Sequence, residues 1–301
     1  MRVFVAGASG AIGRPLIAEL IRQGHTVTGM TRSEAGAQNL AALGASVAQV
    51  SAFDGSAVEQ AVRRSQAEVV IDELTALPKD PSQFAAASAG DRKLRLEGGG
   101  NLHRAAQAAG VRRYIQQASG FFLKAGRGLA DESSPLATDA TPGVAASART
   151  YAELESRVLN AGTMEGIALR YGFFYGPNTW YAEDGAAAEQ VRRQAMPIIG
   201  QGEGGWSWIH HEDAALATVA ALTAPPGIYN IVDDDPSPVS GWLPAFARWL
   251  GAPPPPRISE QQAREAAGDD AVYYGTKLSG ASNEKAKSIF GFQPRRLQWL
   301  V

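Results

Sequence analysis

The chain has 301 residues, 45% of them hydrophobic and 19% charged, with a formal net charge of -2 and no cysteine. That apolar content excludes an intrinsically disordered chain, and the lack of cysteine excludes disulfides, thiolate catalysis and cysteine-based metal centres. No basic excess points to a nucleic acid or an anionic membrane as partner, and no apolar run approaches the ~20 residues of a membrane span.

Arg2 to Ala6 predicts a buried strand, too short before Gly7 for a secretory signal. Ile12 to Gln23 places Ile12, Leu16, Leu20 and Ile21 near one helical face, and Gly24 ends that helix. Strands follow at Thr26–Met30, Ser46–Val50, Val69–Ile71 and Arg113–Gln117. Helices lie between them: Ala35–Leu43, a helix capped by Asp54 and running through Arg64, and one through Leu94, Asn101 and Ala109. Apolar strands without a period of two, alternating with helices, predict a parallel sheet covered on both faces. Gly126 to Val144 is polar and rich in Gly and Pro, which reads as a long loop. Beyond it come a helix from about Thr150 to Asn160 and a strand at Ile167–Tyr171. Helices near Glu189–Gln194 and from Asp213, a strand at Gly227–Val232 and a stiff spacer at Pro253–Pro256 follow. No internal repeat is present. The expected organisation is a sheet domain over residues 1–175 and a smaller lobe over 176–301, some of whose segments return to the sheet.

Gly7, Ala8, Ser9, Gly10, Ala11, Ile12 and Gly13 join the first strand to the first helix. A tight strand-to-helix turn needs residues without Cβ obstruction. A pyrophosphate must also approach backbone N–H groups where the helix dipole favours anions. The flanking strand, amphipathic helix and second strand supply the context of a dinucleotide site. At the end of the second strand stands Thr31-Arg32-Ser33, with no acid for the ribose hydroxyls. Arg32 suits a 2′-phosphate, so NADP is favoured over NAD.

Together with these glycines, Ala118-Ser119, Leu169-Arg170-Tyr171-Gly172, Tyr175-Gly176-Pro177 and Ile209-His210-His211-Glu212-Asp213 resemble an extended or atypical short-chain dehydrogenase/reductase, of the NAD-dependent epimerase/dehydratase-like superfamily. The resemblance spans nearly the whole chain, to about Phe292. It implies an α/β, Rossmann-type doubly wound parallel sheet with a C-terminal substrate lobe. It also implies that Leu74, Thr75 and Ala76 run along the cofactor, and that Tyr171, Phe173 and Phe174 border the nicotinamide. Ser51 aligns with a family Asp that binds the adenine, and helix capping is the expected role of Asp54. A cytoplasmic monomer or homodimer with a small-molecule substrate is expected.

The family's active site uses Ser or Thr with a Tyr-x-x-x-Lys pair on one helix. Ser119 fits the first position. The helix reads Ser147-Ala148-Arg149-Thr150-Tyr151-Ala152-Glu153-Leu154-Glu155 and carries no lysine. Two registers are open. Either Tyr151 is the family Tyr and Glu155 replaces the Lys, with Thr150 and Glu153 as a capping box. Or Glu155 is a helix glutamate of the kind often found four residues after the Lys, which the short distance from Glu155 to Arg170 supports; Tyr151 then takes the Lys slot and Ser147 the Tyr slot. In the first, Glu155 raises the Tyr151 pKa and disfavours a phenolate. Three readings stay open: an NADP-dependent reductase acting on a carbonyl or hydroxyl with Ser119 and a neutral Tyr151; a redox-neutral lyase, isomerase or cyclase; and a non-catalytic dinucleotide sensor.

Aromatic residues gather in the second half, and such walls suit a flat, largely apolar substrate. Phe121, Tyr175, Trp180, Trp206 and His210 are the substrate-side candidates, His210 as a proton donor. Asp213 is expected to cap the helix that follows. Adjacent His210 and His211 point to opposite faces of a strand, so no metal site is expected.

Overall fold

The computed structural model describes residues 1–124, 126 and 128–300, so Arg127, in the stretch read as a loop, lies outside the described residues. The first half runs β1 (Arg2–Ala6), α1 (Gly13–Arg22), β2 (Thr26–Thr31), α2 (Glu34–Ala42), β3 (Ser46–Gln49), α3 (Gly55–Ser65), β4 (Val69–Asp72), α4 (Phe84–Lys93), α5 (Gly99–Ala108), β5 (Arg113–Ser119), α6 (Pro142–Leu159) and β6 (Glu165–Tyr171). The second half adds β7 (Phe173–Tyr175), α7 (Ala186–Arg192), β8 (Ile198–Ile199), β9 (Gly205–Trp206), β10 (Trp208–His210), α8 (His211–Ala220), β11 (Gly227–Ile231), β12 (Ser237–Pro238), α9 (Val239–Trp249), β13 (Arg257–Ile258), α10 (Glu260–Thr276) and α11 (Glu284–Phe290).

Seven strands form one sheet in the order β11-β6-β5-β4-β1-β2-β3, and every neighbouring pair is parallel. All seven residues of β5 are buried, as are all four of β4, which explains why neither strand alternates polar and apolar positions with a period of two. On one face, Leu16, Ile17 and Leu20 of α1 pack with Ala214, Ala215 and Ala217 of α8. On the other, Val58 and Val62 of α3 pack with Leu102 and Ala105 of α5. The chain reverses its direction of travel between β1 and β4, so the crevice beyond their carboxyl ends is where this architecture binds ligands. A further buried cluster is aromatic and gathers Tyr175, Tyr181, Trp208, Trp242 and Phe246 in the part of the chain expected to form the lobe.

Two helices differ from expectation. Between α4 and α5 the chain makes a five-residue π turn at Leu94–Gly98 and does not break. And α6 begins at Pro142, not near Thr150. Pro142 suits a first helical position, where the missing N–H costs nothing. The cap comes from α10: Asp270 Oδ1 accepts the Gly143 N–H (3.1 Å) and the Thr141 hydroxyl (2.5 Å). A carboxylate there also offsets the helix dipole. Thr150 lies inside the helix, its hydroxyl donating to the Ala146 carbonyl at 3.0 Å, so it starts no capping box.

One buried ion pair ties α6 to β6. Arg170 Nε donates to Glu155 Oε1 at 2.6 Å and Nη2 to Oε2 at 2.9 Å, with side-chain exposures of 4% and 7%. Removing one partner of such a pair strands the other charge away from water. Glu155→Gln is expected to lose about 3–5 kcal/mol of stability, read from urea unfolding. A loss below about 1 kcal/mol, the scale of an exposed pair, would show that water reaches Arg170.

Candidate active site

The glycine loop is built for close approach. Gly7 has φ +75°, and a Cβ there would lie 2.3 Å from the Glu73 carbonyl oxygen. A Cβ on Gly13 would lie 2.5 Å from the Gly7 carbonyl oxygen. Gly10 and Ala11 are exposed above this turn. Ile12 occupies the N-cap of α1 and has no side-chain oxygen with which to cap it. The Arg14 N–H donates to the Gly10 carbonyl at 3.3 Å and Pro15 carries none, so the Ala11, Ile12 and Gly13 N–H groups are the ones left for an anion, with no acidic side chain to compete. These residues fit a dinucleotide pyrophosphate. Beside them Ser9 Oγ lies 3.3 Å from Thr31 Oγ1. Arg32 is exposed, and Ser33 caps α2 by accepting the Gly36 N–H at 3.1 Å. Ser51 is also exposed, and Asp54 caps α3 as expected.

Beyond β4 the segment 73–76 runs past this loop. Leu74 donates its N–H to Asp72 (3.0 Å) and Ala76 to Asp91 (2.6 Å), while Thr75 is half-buried. Glu73 turns into the α1/α8 face. Its Oε1 lies 3.1 Å from the Tyr171 hydroxyl, which lies 2.6 Å from Thr218 Oγ1, which donates to the Ala214 carbonyl at 2.7 Å. Three contacts need three protons, and the chain is complete only when Glu73 keeps its own. Burial agrees: it pushes the Glu73 pKa up to about 8, nearby Asp72 adding to the effect. Tyr171 is thus held under the sheet end, with Phe174 half-buried against it at 5.4 Å between ring centroids.

Ser119 ends β5 in register with Tyr171, and its Oγ accepts the Phe121 N–H at 3.5 Å. No hydrogen bond joins it to Tyr151. A run of aromatic rings connects the two halves of the site instead. Tyr151 stacks on Phe122 at 5.6 Å, Phe122 meets Phe121 at 4.7 Å, Phe121 stacks on Phe173 at 4.1 Å, and Phe173 on Trp206 at 4.0 Å. Of these, Phe121, Tyr151, Phe173 and Trp206 are half-buried. Trp180 is half-buried too, donating its indole N–H to the Pro78 carbonyl at 2.9 Å.

Early entry into α6 puts Ser147, Tyr151 and Glu155 on one helix stripe. Glu155 is engaged with Arg170 and Thr150 forms no cap, so both local features match the second register. The Tyr151 pKa is raised, but the cause differs from expectation: burial raises it, while the Arg95 guanidinium opposes that rise. Arg95 lies over the Tyr151 ring at 5.2 Å.

Three sequence expectations need correction. Tyr175 is fully buried in the lobe core, edge-on to His210 and Trp299, and offers no substrate wall. His210, not Asp213, caps α8, its Nδ1 accepting the Glu212 N–H at 3.3 Å. Burial and Arg295 lower its pKa to about 4, so it is a neutral structural imidazole near pH 7 and no proton donor. Gly176, at φ +100°, exists for this contact, since a Cβ would lie 2.4 Å from His210 Nε2. Asp213 binds Arg295 through the backbone N–H (2.8 Å) and Nε (3.0 Å). Sequence reasoning missed Glu73, Asp91 and Arg95. The i,i+4 spacing of Asp91 and Arg95 was a usable signal, and Glu73 directly follows a strand with no exposed residue.

The family model described as the NAD dependent epimerase/dehydratase family matches residues 3–232. A Streptomyces sp. protein named 3-diazoavenalumate denitrifying reductase is 39% identical over 305 residues, covering 99% of this chain and 98% of its own. A Stigmatella aurantiaca protein named 4-hydroxy-2-methyl-3-oxo-4-farnesyl-3,4-dihydroquinoline-1-oxide ketoreductase is 26% identical, covering 81% and 71%. Among solved structures, the Thermus thermophilus UDP-glucose 4-epimerase complex with NAD superposes with a TM-score of 0.73 at 23% identity, covering 98% and 94%, a likeness of fold.

The Glu73 pKa, raised from 4.5 to about 8, makes a pH prediction. A group raised on folding contributes its full stability below its unfolded pKa and loses it as pH rises through the folded one. Measured by urea unfolding, the wild type is expected to lose stability relative to Glu73→Gln from about pH 5 to pH 8. A flat difference across that range would mean that Glu73 is ionised in the fold.

Proposed function

The chain belongs to the NAD-dependent epimerase/dehydratase family and is an enzyme of the NAD(P)-dependent oxidoreductase type, and for this member we propose reductive removal of a diazo group, as dinitrogen, from a planar aromatic substrate, with NADP(H) as its dinucleotide. The observation that carries this reading is the helix α6 itself. It presents Tyr151 as a neutral hydroxyl, and the carboxylate one turn along the helix, Glu155, is spent on Arg170. A carbonyl reduction must deliver a proton to the developing alkoxide, and positioned acids contribute about 10²–10⁴-fold to such steps. When bound, the reduced dinucleotide supplies a hydride; the ring carbon gains it, the C–N bond breaks, and dinitrogen leaves with that bond's electron pair, so an aryl diazonium becomes an arene with no proton taken up. A site without a lysine relay suits that balance. The name of the 39% identical relative points the same way.

In this reading Phe121, Phe173 and Trp206 flank the planar substrate, and Tyr151 orients it by a hydrogen bond. Gly7 to Gly13 hold the pyrophosphate, and Leu74 to Ala76 lie along the dinucleotide. Arg32 and the α2 N-terminus receive the 2′-phosphate, with Ser9 alongside.

The test uses NADPH deuterated at C4 and a ¹⁵N-labelled hydroxyaryl diazonium salt, with heat-inactivated protein as the background. Labelled dinitrogen, loss of the 340 nm band and ring deuterium are expected in equal amounts. Tyr151→Phe should cost no more than about tenfold in turnover, the scale of one hydrogen bond. Dinitrogen release without NADPH oxidation would overturn the reading in favour of a redox-neutral reaction. So would a ketone substrate whose turnover collapses by about 10²–10⁴-fold in the same variant, the mark of a general acid.

Arg32→Ala should weaken NADP binding by roughly 1.5–3 kcal/mol, the range for a charged hydrogen bond, and leave NAD nearly unchanged in calorimetry. Equal losses for both dinucleotides would remove Arg32 from the phosphate.

A further inference from the structure

We propose that Arg95 is the cation of this active site and that its free Nη1 holds an anionic oxygen of the aromatic substrate. The proposal deepens the reductase reading and rests on it for the place of the site. Arg95 sits in the π turn between α4 and α5, a distortion that proteins often retain at functional positions. Arg157 of α6 braces that turn, donating Nη1 to the Arg95 carbonyl (3.3 Å) and Nη2 to the Leu96 carbonyl (3.0 Å). The Arg95 side chain is 3% exposed, and its Nε donates to Asp91 Oδ2 at 2.7 Å. Nη1 is buried with no acceptor among the described residues. A guanidinium donor left without a partner away from water is costly, so an arginine kept there calls for a further acceptor. The other Asp91 oxygen accepts the Ala76 N–H, which joins this cation to the segment beyond β4.

The acceptor is an anion by charge count. Arg95 and Arg157 bring two positive charges to this enclave, and among the described residues Arg157 makes no ion pair. Asp91 answers one of them. The remaining acids near Arg95 are Asp72, fully buried under the Leu74 N–H and the Tyr114 hydroxyl, and Glu73, which keeps its proton in the Tyr171–Thr218 chain; burial raises the pKa of both against ionisation. The Arg95 guanidinium lies over Tyr151, at the end of the aromatic run that flanks the substrate. An aromatic substrate offers two oxygens of this chemistry, a carboxylate and a phenolate.

Calorimetry on the NADP⁺-saturated protein separates them, using 4-hydroxycinnamate, its methyl ester and 4-methoxycinnamate. One of the two methylated analogues should bind the wild type at least about tenfold more weakly, as loss of a charge-assisted hydrogen bond requires, and the oxygen capped in that analogue is the one that Arg95 holds. In Arg95→Met the difference should shrink to less than about threefold, with NADP⁺ affinity preserved, and Arg95→Lys should restore most of it. Equal wild-type affinity for all three compounds, no binding of any at millimolar concentration, or an equal loss for all three in Arg95→Met would overturn the proposal. Should Arg95→Met fail to fold, the wild-type comparison and Arg95→Lys decide. No diazo group or hydride takes part, so the outcome is independent of whether the reductase assay succeeds.

Discussion

The Glu155–Arg170 pair is the interaction on which the site depends. It is buried, bidentate and spans α6 and β6. A carboxylate that would otherwise repel a phenolate at Tyr151 is turned toward the sheet. With that charge turned away, burial, Arg95 and Asp91 decide the ionisation of Tyr151, and burial prevails over Arg95 with Asp91 on its side. The same pair fixes the rotation of α6, so that Tyr151 meets Phe122 and the aromatic run toward the lobe. Stability and reactivity meet in one contact: a lysine at position 155 would lose the pair and set a second cation against Arg170.

Most of the sheet was legible because its central strands are buried on both faces and show no period of two, and because glycines follow several of the helices between them. Edges moved by a residue or two, as at β2, which extends to Thr31. The start of α6 was not legible. Its cap, Asp270, lies 127 residues from Gly143, and no local pattern records a cap from so far away. Thr150 misled for a related reason. A threonine satisfied by the carbonyl one turn back looks, in sequence, like one that opens a helix.

The site divides along the same line. Glycine positions at Gly7 and Gly13 were readable because backbone approach permits no other residue there. Aromatic residues were readable as a group but not singly. Phe173 and Trp206 stack in the open run, whereas Tyr175 lies in the lobe core although it follows Phe173 by two residues. His210 looked chemical because of its neighbours, yet its surroundings include Arg295, from the far end of the chain. Arg95 was overlooked because a buried guanidinium in a helix carries no motif; its meaning comes from Tyr151 and Asp91 around it.

The clasp of Asp270 on the start of α6 has a mechanical corollary. The same α10 carries Tyr274, whose ring stands edge-on to Phe122 at 6.4 Å and to Phe173 at 6.5 Å. If α10 swung outward, it would strip the α6 N-terminus of its acceptor and withdraw an aromatic wall in one movement. Opening the lobe and loosening the helix that bears Tyr151 are therefore a single event, and the shut arrangement is the one in which both are satisfied.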